Sequence, residues 1–195
     1  DLEPNYEGMP VGFERQNDLE PQCRAYFNDY DVRRSMYPSV LAGAAGFTYG
    51  HEGIRQIYRP GDRSHASDGR GVPTWDKALS APGSSQLKLL KGLLLERSYF
   101  TRRPAQEVIV RSAGDGVITR CAAARCCHGS YLYVYVPIRQ MLEIDTSGIT
   151  TKRLRITVFD PVSGGVLLQW ECENTGRVQY IPALQLDSFI VIDAV

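Results

Sequence analysis

Two carboxylates lie four residues apart at the start of the chain, Glu3 and Glu7 in DLEPNYEG. Glu3 follows the apolar Leu2 and precedes Pro4. Because proline has no N–H to give to a ladder, a strand entering this segment must stop there. That order puts Glu3 at a strand-to-loop junction, the place where closed parallel barrels keep their catalytic carboxylates. A solvated loop acid has the same local sequence, so the surrounding elements have to decide between the two. No initiator Met precedes Asp1, and the expectation is a chain that begins inside a domain. A second polar group follows in FTYGHEG, where Phe47 and Tyr49 alternate and His51 and Glu52 sit between glycines. It reads as a short strand with a loop on its C-terminal side. Cys121, Cys126, Cys127 and His128 carry the right atoms for zinc. Adjacent cysteines on an extended backbone point to opposite sides, however, and no CxxC pair is present, so no metal is expected there.

These groups need elements to hold them, and the composition allows a real core. The chain has 195 residues, 43% of them hydrophobic, enough for one large or two modest domains. Lysine and arginine total 22 and aspartate and glutamate 22. That balance removes the basic footprint nucleic-acid binding requires, so no nucleic-acid partner is expected. No apolar run is long enough to span a bilayer, and LKLLKGLLLERSYF carries two lysines, so no membrane partner is expected either. The five cysteines, Cys23, Cys121, Cys126, Cys127 and Cys172, are an odd number without the spacing of a disulfide scaffold.

From Asp29 to Ala45, Val32, Met36, Val40 and Ala44 recur at helical spacing, with Asp29 or Asp31 available as cap. Pro38 inside this pattern predicts a kink or marks the true first turn. Residues 59–83 are rich in Gly, Pro, Ser and Asp and hold Trp75; a connection of about two dozen residues reads as a functional loop. Ser84 or Ser85 then caps an apolar helix through Leu87, Leu90 and Leu93 to Leu95, ending near Tyr99. Strand, helix, strand, long loop and helix are the alternation of parallel βα units. Two such units leave open sheet edges, whereas a closed barrel takes roughly 250 residues, so more chain, either upstream or on a partner, is expected to complete the sheet. After Pro104 the pattern changes to short β-rich runs at residues 108–110, 117–119, 131–136, 141–144, 154–159, 166–170, 178–181 and 189–192, separated by turn signals. They describe an antiparallel β-sandwich. The predicted division is 1–104 for the incomplete barrel part and 105–195 for the sandwich.

LEPNYEG, DYDVRRSMYPSVLAGAAGFTYGHEGIRQIY, WDKAL, PGSSQLKLLKGLLLER, GSYLYVYVP, VFDPVSG, NTG and a closing FIVID, taken in order, resemble the apiosidase-like glycoside hydrolases over nearly the whole chain. The resemblance implies the last βα units of a (β/α)8 TIM barrel followed by a C-terminal β-sandwich that carries a collagen-binding label. It implies a retaining hydrolase of plant-type or other branched glycans, with an oligo- or polysaccharide substrate, the remainder of the barrel upstream as partner, and no cofactor. Retention needs two carboxyls about 5 to 5.5 Å apart. By resemblance Glu3 holds the nucleophile position at the end of the seventh strand. The acid/base would lie upstream, leaving this segment inactive alone.

Glu7 is the second candidate, expected to orient ligands or a helix. Tyr49 and His51 fall where the eighth strand meets the active face, as sugar-hydroxyl partners or as core and loop residues. Trp75 is either a stacking platform for a sugar or a plug under the loop. Arg33 and Arg34, near a helix start, are expected in structural or solvated roles. Arg55, where the family pattern has an aromatic residue, and Pro38 depart from the resemblance. The competing reading is a non-catalytic module whose sandwich binds carbohydrate or protein. An exposed row of aromatics would favour it, and Tyr131, Tyr133 and Tyr135 share one face that serves equally well as core.

Overall fold

The computed structural model describes residues 5–11, 25–62, 73–181 and 186–195. The chain divides into two compact units, one of residues 1–36 and 46–88, the other of residues 37–45 and 89–195. Four helices form among the described residues: α1 (Asp29–Leu41), α2 (Glu52–Arg55), α3 (Trp75–Ala78) and α4 (Pro82–Leu95).

The cap of α1 is Asn28, one residue before the expected Asp29. Its Oδ1 accepts from Tyr30 N–H and Asp31 N–H, while Asp31 Oδ2 accepts from Asn28 N–H, a reciprocal pair that satisfies otherwise orphaned donors. Pro38 stays inside the helix, which ends at Leu41 rather than Ala45. Pro82 opens α4, and the hydroxyls of Ser84 and Ser85 donate back to the carbonyls of Ala81 and Pro82. The serines are therefore inside the first turn, not at the cap; proline suits that turn because its missing N–H has no helical partner there. The helix stops at Leu95, and a 3-10 turn takes Tyr99–Thr101. The long connection contains α3, so Trp75 begins a helical turn instead of lying in open loop.

The strand expected at Phe47 and Tyr49 reduces to one parallel bridge between Glu7 and His51. Glu7 N–H donates to Gly50 O at 3.0 Å and Glu52 N–H to Glu7 O at 2.8 Å. Glycines at positions 46 and 50 weaken longer pairing, and the ring of Tyr6 lies where a Cβ on Gly50 would be.

The second unit holds two antiparallel sheets. Strands β1 (Arg102–Pro104), β3 (Ala122–Cys126), β4 (Tyr131–Val136), β9 (Ser188–Ala194), β6 (Arg153–Phe159) and β7 (Val166–Glu173) form one, in that order. Strands β2 (Ile109–Arg111), β5 (Leu142–Asp145) and β8 (Arg177–Tyr180) form the other. Leu132, Val134, Val136, Leu154, Ile156, Val158, Ile190 and Ile192 pack against Val108, Leu142, Ile144, Val178 and Tyr180 as the core. The run at 117–119 is not a strand: Thr119 and Arg120 N–H both donate to Gly116 O, and Val117 is 91% exposed. Two strands lay outside the sequence reading, β1 and the alanine-rich β3. The latter forms despite weak intrinsic preference because β1 and β4 pair it on both sides and Ala124 is fully buried.

The opposite face of the six-stranded sheet carries the tyrosines, and all three are buried. Tyr37 stacks on Tyr135 with centroids 4.5 Å apart and packs on Phe189. Tyr131 and Tyr133 donate to the carbonyls of Ser98 and Leu93, and Tyr135 to Asp187. The row is a packing face under the ends of α1 and α4, and offers no exposed platform for a ligand. Arg97 closes the same layer with a bidentate pair to Asp193 at 2.6 and 2.7 Å.

Candidate functional site

Glu7 is the hub of the first unit. It is 7% exposed, and its Oε2 accepts from Tyr49 O–H at 2.8 Å and from Gly83 N–H at 3.0 Å. Gly83 lies in the first turn of α4, where backbone N–H groups have no helical acceptor and the helix end favours negative charge. Glycine is required there, because a Cβ on residue 83 would run into Glu7 Oε2 and stand 3.0 Å from the Tyr49 ring. Burial raises the carboxyl pKa of Glu7, and the bonds from Tyr49 and Gly83 only partly offset it. Tyr49 is likewise pushed up, first by burial and then by its bond to Glu7, so its hydroxyl keeps its proton.

His51 pairs with Glu7 across the parallel bridge and is 4% exposed. Its Nδ1 accepts from Gly53 N–H at 3.0 Å and so caps α2. With Nδ1 an acceptor, the ring proton belongs on Nε2. Burial lowers the His51 pKa more than the neighbouring Glu52 charge raises it, which favours the neutral ring. Glu52 is fully buried and serves structure: Arg55 grips both its oxygens at 2.8 Å and Gln56 adds a third bond at 2.7 Å. The guanidinium of Arg55 also lies over Tyr6.

Beside Glu7 stands a second polar cluster that sequence reading assigned only in part. Arg33, 3% exposed, donates to Asp29 Oδ2 and Gln86 Oε1, each at 2.7 Å, and Gln86 donates to the same Asp29 oxygen at 2.9 Å. Burial works against ionised Asp29, yet the bonds from Gln86 and Arg33 hold its pKa below the usual range. Arg33 thus has the structural pairing expected of it, within its own helix, and Arg34 pairs with Asp31 at 3.5 Å. Gly83 and Gln86 were missed; the available signal was Pro82, which marks a helix start with donors to spare.

The structure brings Glu7, Tyr49 and His51 together. Trp75 lies on α3, 41% exposed, its N–H bonded to Tyr58 O at 2.9 Å. Glu3 and Cys23 lie outside the described residues. Cys121 immediately precedes β3 and Cys126 is its last residue. Burial pushes the Cys121 thiol up to about 12; Cys126, despite burial, is held at about 7 by hydrogen bonding with Ser130 and Thr101 and by the bond from His128 N–H. Among the described residues no three His, Cys, Asp or Glu side chains gather as a metal site. No described helix is long and apolar enough to cross a membrane.

Residues 1–101 match "Apiosidase-like, catalytic domain" and residues 103–192 match "Putative collagen-binding domain of a collagenase". The chain belongs to the apiosidase-like family of glycoside hydrolases. A solved structure described as "Glycoside hydrolase" is 31% identical with a TM-score of 0.83, over 99% of this chain and 42% of its own. A glycoside hydrolase family 5 protein from Bacteroides vulgatus ATCC 8482 is also 31% identical, with a TM-score of 0.85 over 99% of this chain and 41% of its own. The chain therefore spans about two fifths of the length of these structures. No curated protein matches it.

Proposed function

We propose that the chain is the C-terminal portion of a retaining glycoside hydrolase acting on plant-type or other branched glycans. Residues 1–104 supply the last βα units of a (β/α)8 barrel and residues 105–195 a β-sandwich. Glu3 is the nucleophile, attacking the anomeric carbon to form a glycosyl-enzyme, and the acid/base carboxyl comes from barrel chain upstream. Glu7, Tyr49, His51 and Trp75 contact the sugar. Without the upstream carboxyl the leaving oxygen has no proton donor, so residues 1–195 alone are inactive.

The observation that supports this reading best is the match of the catalytic-domain family to residues 1–101, the part of the chain in which Glu7, Tyr49 and His51 meet around one buried carboxylate. The test uses the protein with its upstream barrel and a panel of nitrophenyl glycosides. Glu3→Gln should reduce turnover by several orders of magnitude with the fold unchanged. Full activity in that variant, or loss confined to Glu7→Gln, would move the nucleophile to another residue.

A further inference from the structure

Two buried side chains in the first unit are only half used. Both bonds to Glu7 fall on Oε2, and no described residue bonds Oε1. His51 spends Nδ1 on the α2 cap, and no described residue bonds Nε2. Neither open atom is among the sealed, unpartnered ones. Residues paired directly across a parallel bridge leave the backbone on the same face, so Glu7 and His51 emerge side by side. One carries an acceptor fixed by Tyr49 and Gly83, the other a donor fixed by Gly53. Both atoms are therefore open to solvent, where hydroxyls of a ligand can take the place of water.

We propose that Glu7 Oε1 and His51 Nε2–H form an acceptor–donor clamp for two adjacent hydroxyls of a sugar, a vicinal diol. One hydroxyl donates to Glu7 and its neighbour accepts from His51. The clamp rests on the glycosidase reading of this face and adds to it a requirement on the substrate, with both hydroxyls free and unbranched. The lowered His51 pKa agrees with a ring that donates at neutral pH and takes no part in proton transfer.

Two variants separate the clamp from the cap. In His51→Asn the amide oxygen can accept from Gly53 N–H as Nδ1 does, but nothing reaches the Nε2 position. In His51→Gln the amide nitrogen reaches that position and the cap is lost. With the complete enzyme and the nitrophenyl glycoside it hydrolyses fastest, His51→Asn should raise KM on the order of tenfold with thermal stability near wild type. His51→Gln should restore KM while melting earlier. A monodeoxy analogue lacking the paired hydroxyl should lose the same factor on wild type and nothing further on His51→Asn. Unchanged KM in His51→Asn, or losses that simply add, would overturn the clamp while leaving the hydrolase reading intact. A parallel arm follows the His51 Nε2 resonance by NMR during titration with methyl β-D-xylopyranoside and its monodeoxy analogues. A shift seen only with the intact diol, in a protein that hydrolyses no glycoside, would sink the hydrolase reading and keep the clamp; no shift alongside active hydrolysis counts against the clamp.

Discussion

Gly83→Ala tests the hub around Glu7 through a change of one methyl group. In an ordinary helix the substitution stabilises by up to about 1 kcal/mol, because alanine loses less backbone freedom than glycine. Here the new Cβ would meet Glu7 Oε2 and stand 3.0 Å from the Tyr49 ring. To make room, Glu7 must withdraw from Gly83 N–H, and a hydrogen bond to a charged group contributes about 1.5–3 kcal/mol. The Tyr49 bond to the same oxygen is disturbed as well, at roughly 1 kcal/mol. Set against the full helix gain, the net loss is about 1.5–3 kcal/mol, undiminished by solvent screening because Glu7 and Gly83 are both buried. The assay is urea unfolding of wild type, Gly83→Ala, Glu7→Ala and the double variant. With Glu7 cut back to alanine the colliding oxygen is gone, so Gly83→Ala should become neutral or mildly stabilising in that background. The sign of the glycine effect thus inverts with residue 7. Equal effects in both backgrounds would refute the hub, since coupling between touching residues must appear as non-additivity.

Burial raises the Glu7 pKa above 4.5, so its stabilising contribution is complete below that pH and lost as pH rises through the raised value. Glu7→Gln, which keeps an acceptor for Tyr49 and Gly83, should gain stability relative to wild type as pH increases above 4.5 and show no such gain below it, measured by urea melts across pH. The lowered His51 pKa works the other way: its contribution is present above 6.5 and lost as pH falls, and His51→Asn should flatten that acid limb in thermal melts. Tyr37 is fully buried against Tyr135 and Phe189, so Tyr37→Ala should cost about 3–5 kcal/mol in the same unfolding assay, whereas a sandwich that ignored α1 would scarcely notice it.

Local periodicity and turn chemistry were enough to read much of this molecule from its residues. Alternating apolar runs such as YLYVYV and RLRITVF contain their own pleat, and seven of the predicted β-rich runs are strands within a few residues of the expected bounds. The apolar stripes of α1 and α4 were equally legible, and ordered family motifs along the chain pointed to the apiosidase-like hydrolases. What sequence left open was decided by pairing between distant residues. The alanines of β3 have no strand preference of their own and become one only between β1 and β4. Tyr131, Tyr133 and Tyr135 fit an exposed platform or a core equally well until Tyr37 and the carbonyls of Leu93 and Ser98 cover them. Glu7 looked like a lesser neighbour of Glu3. Its burial, its grip on Gly83 76 residues away and its pairing with His51 depend on where the backbone brings α4 and the FTYGHEG segment, which no local pattern encodes.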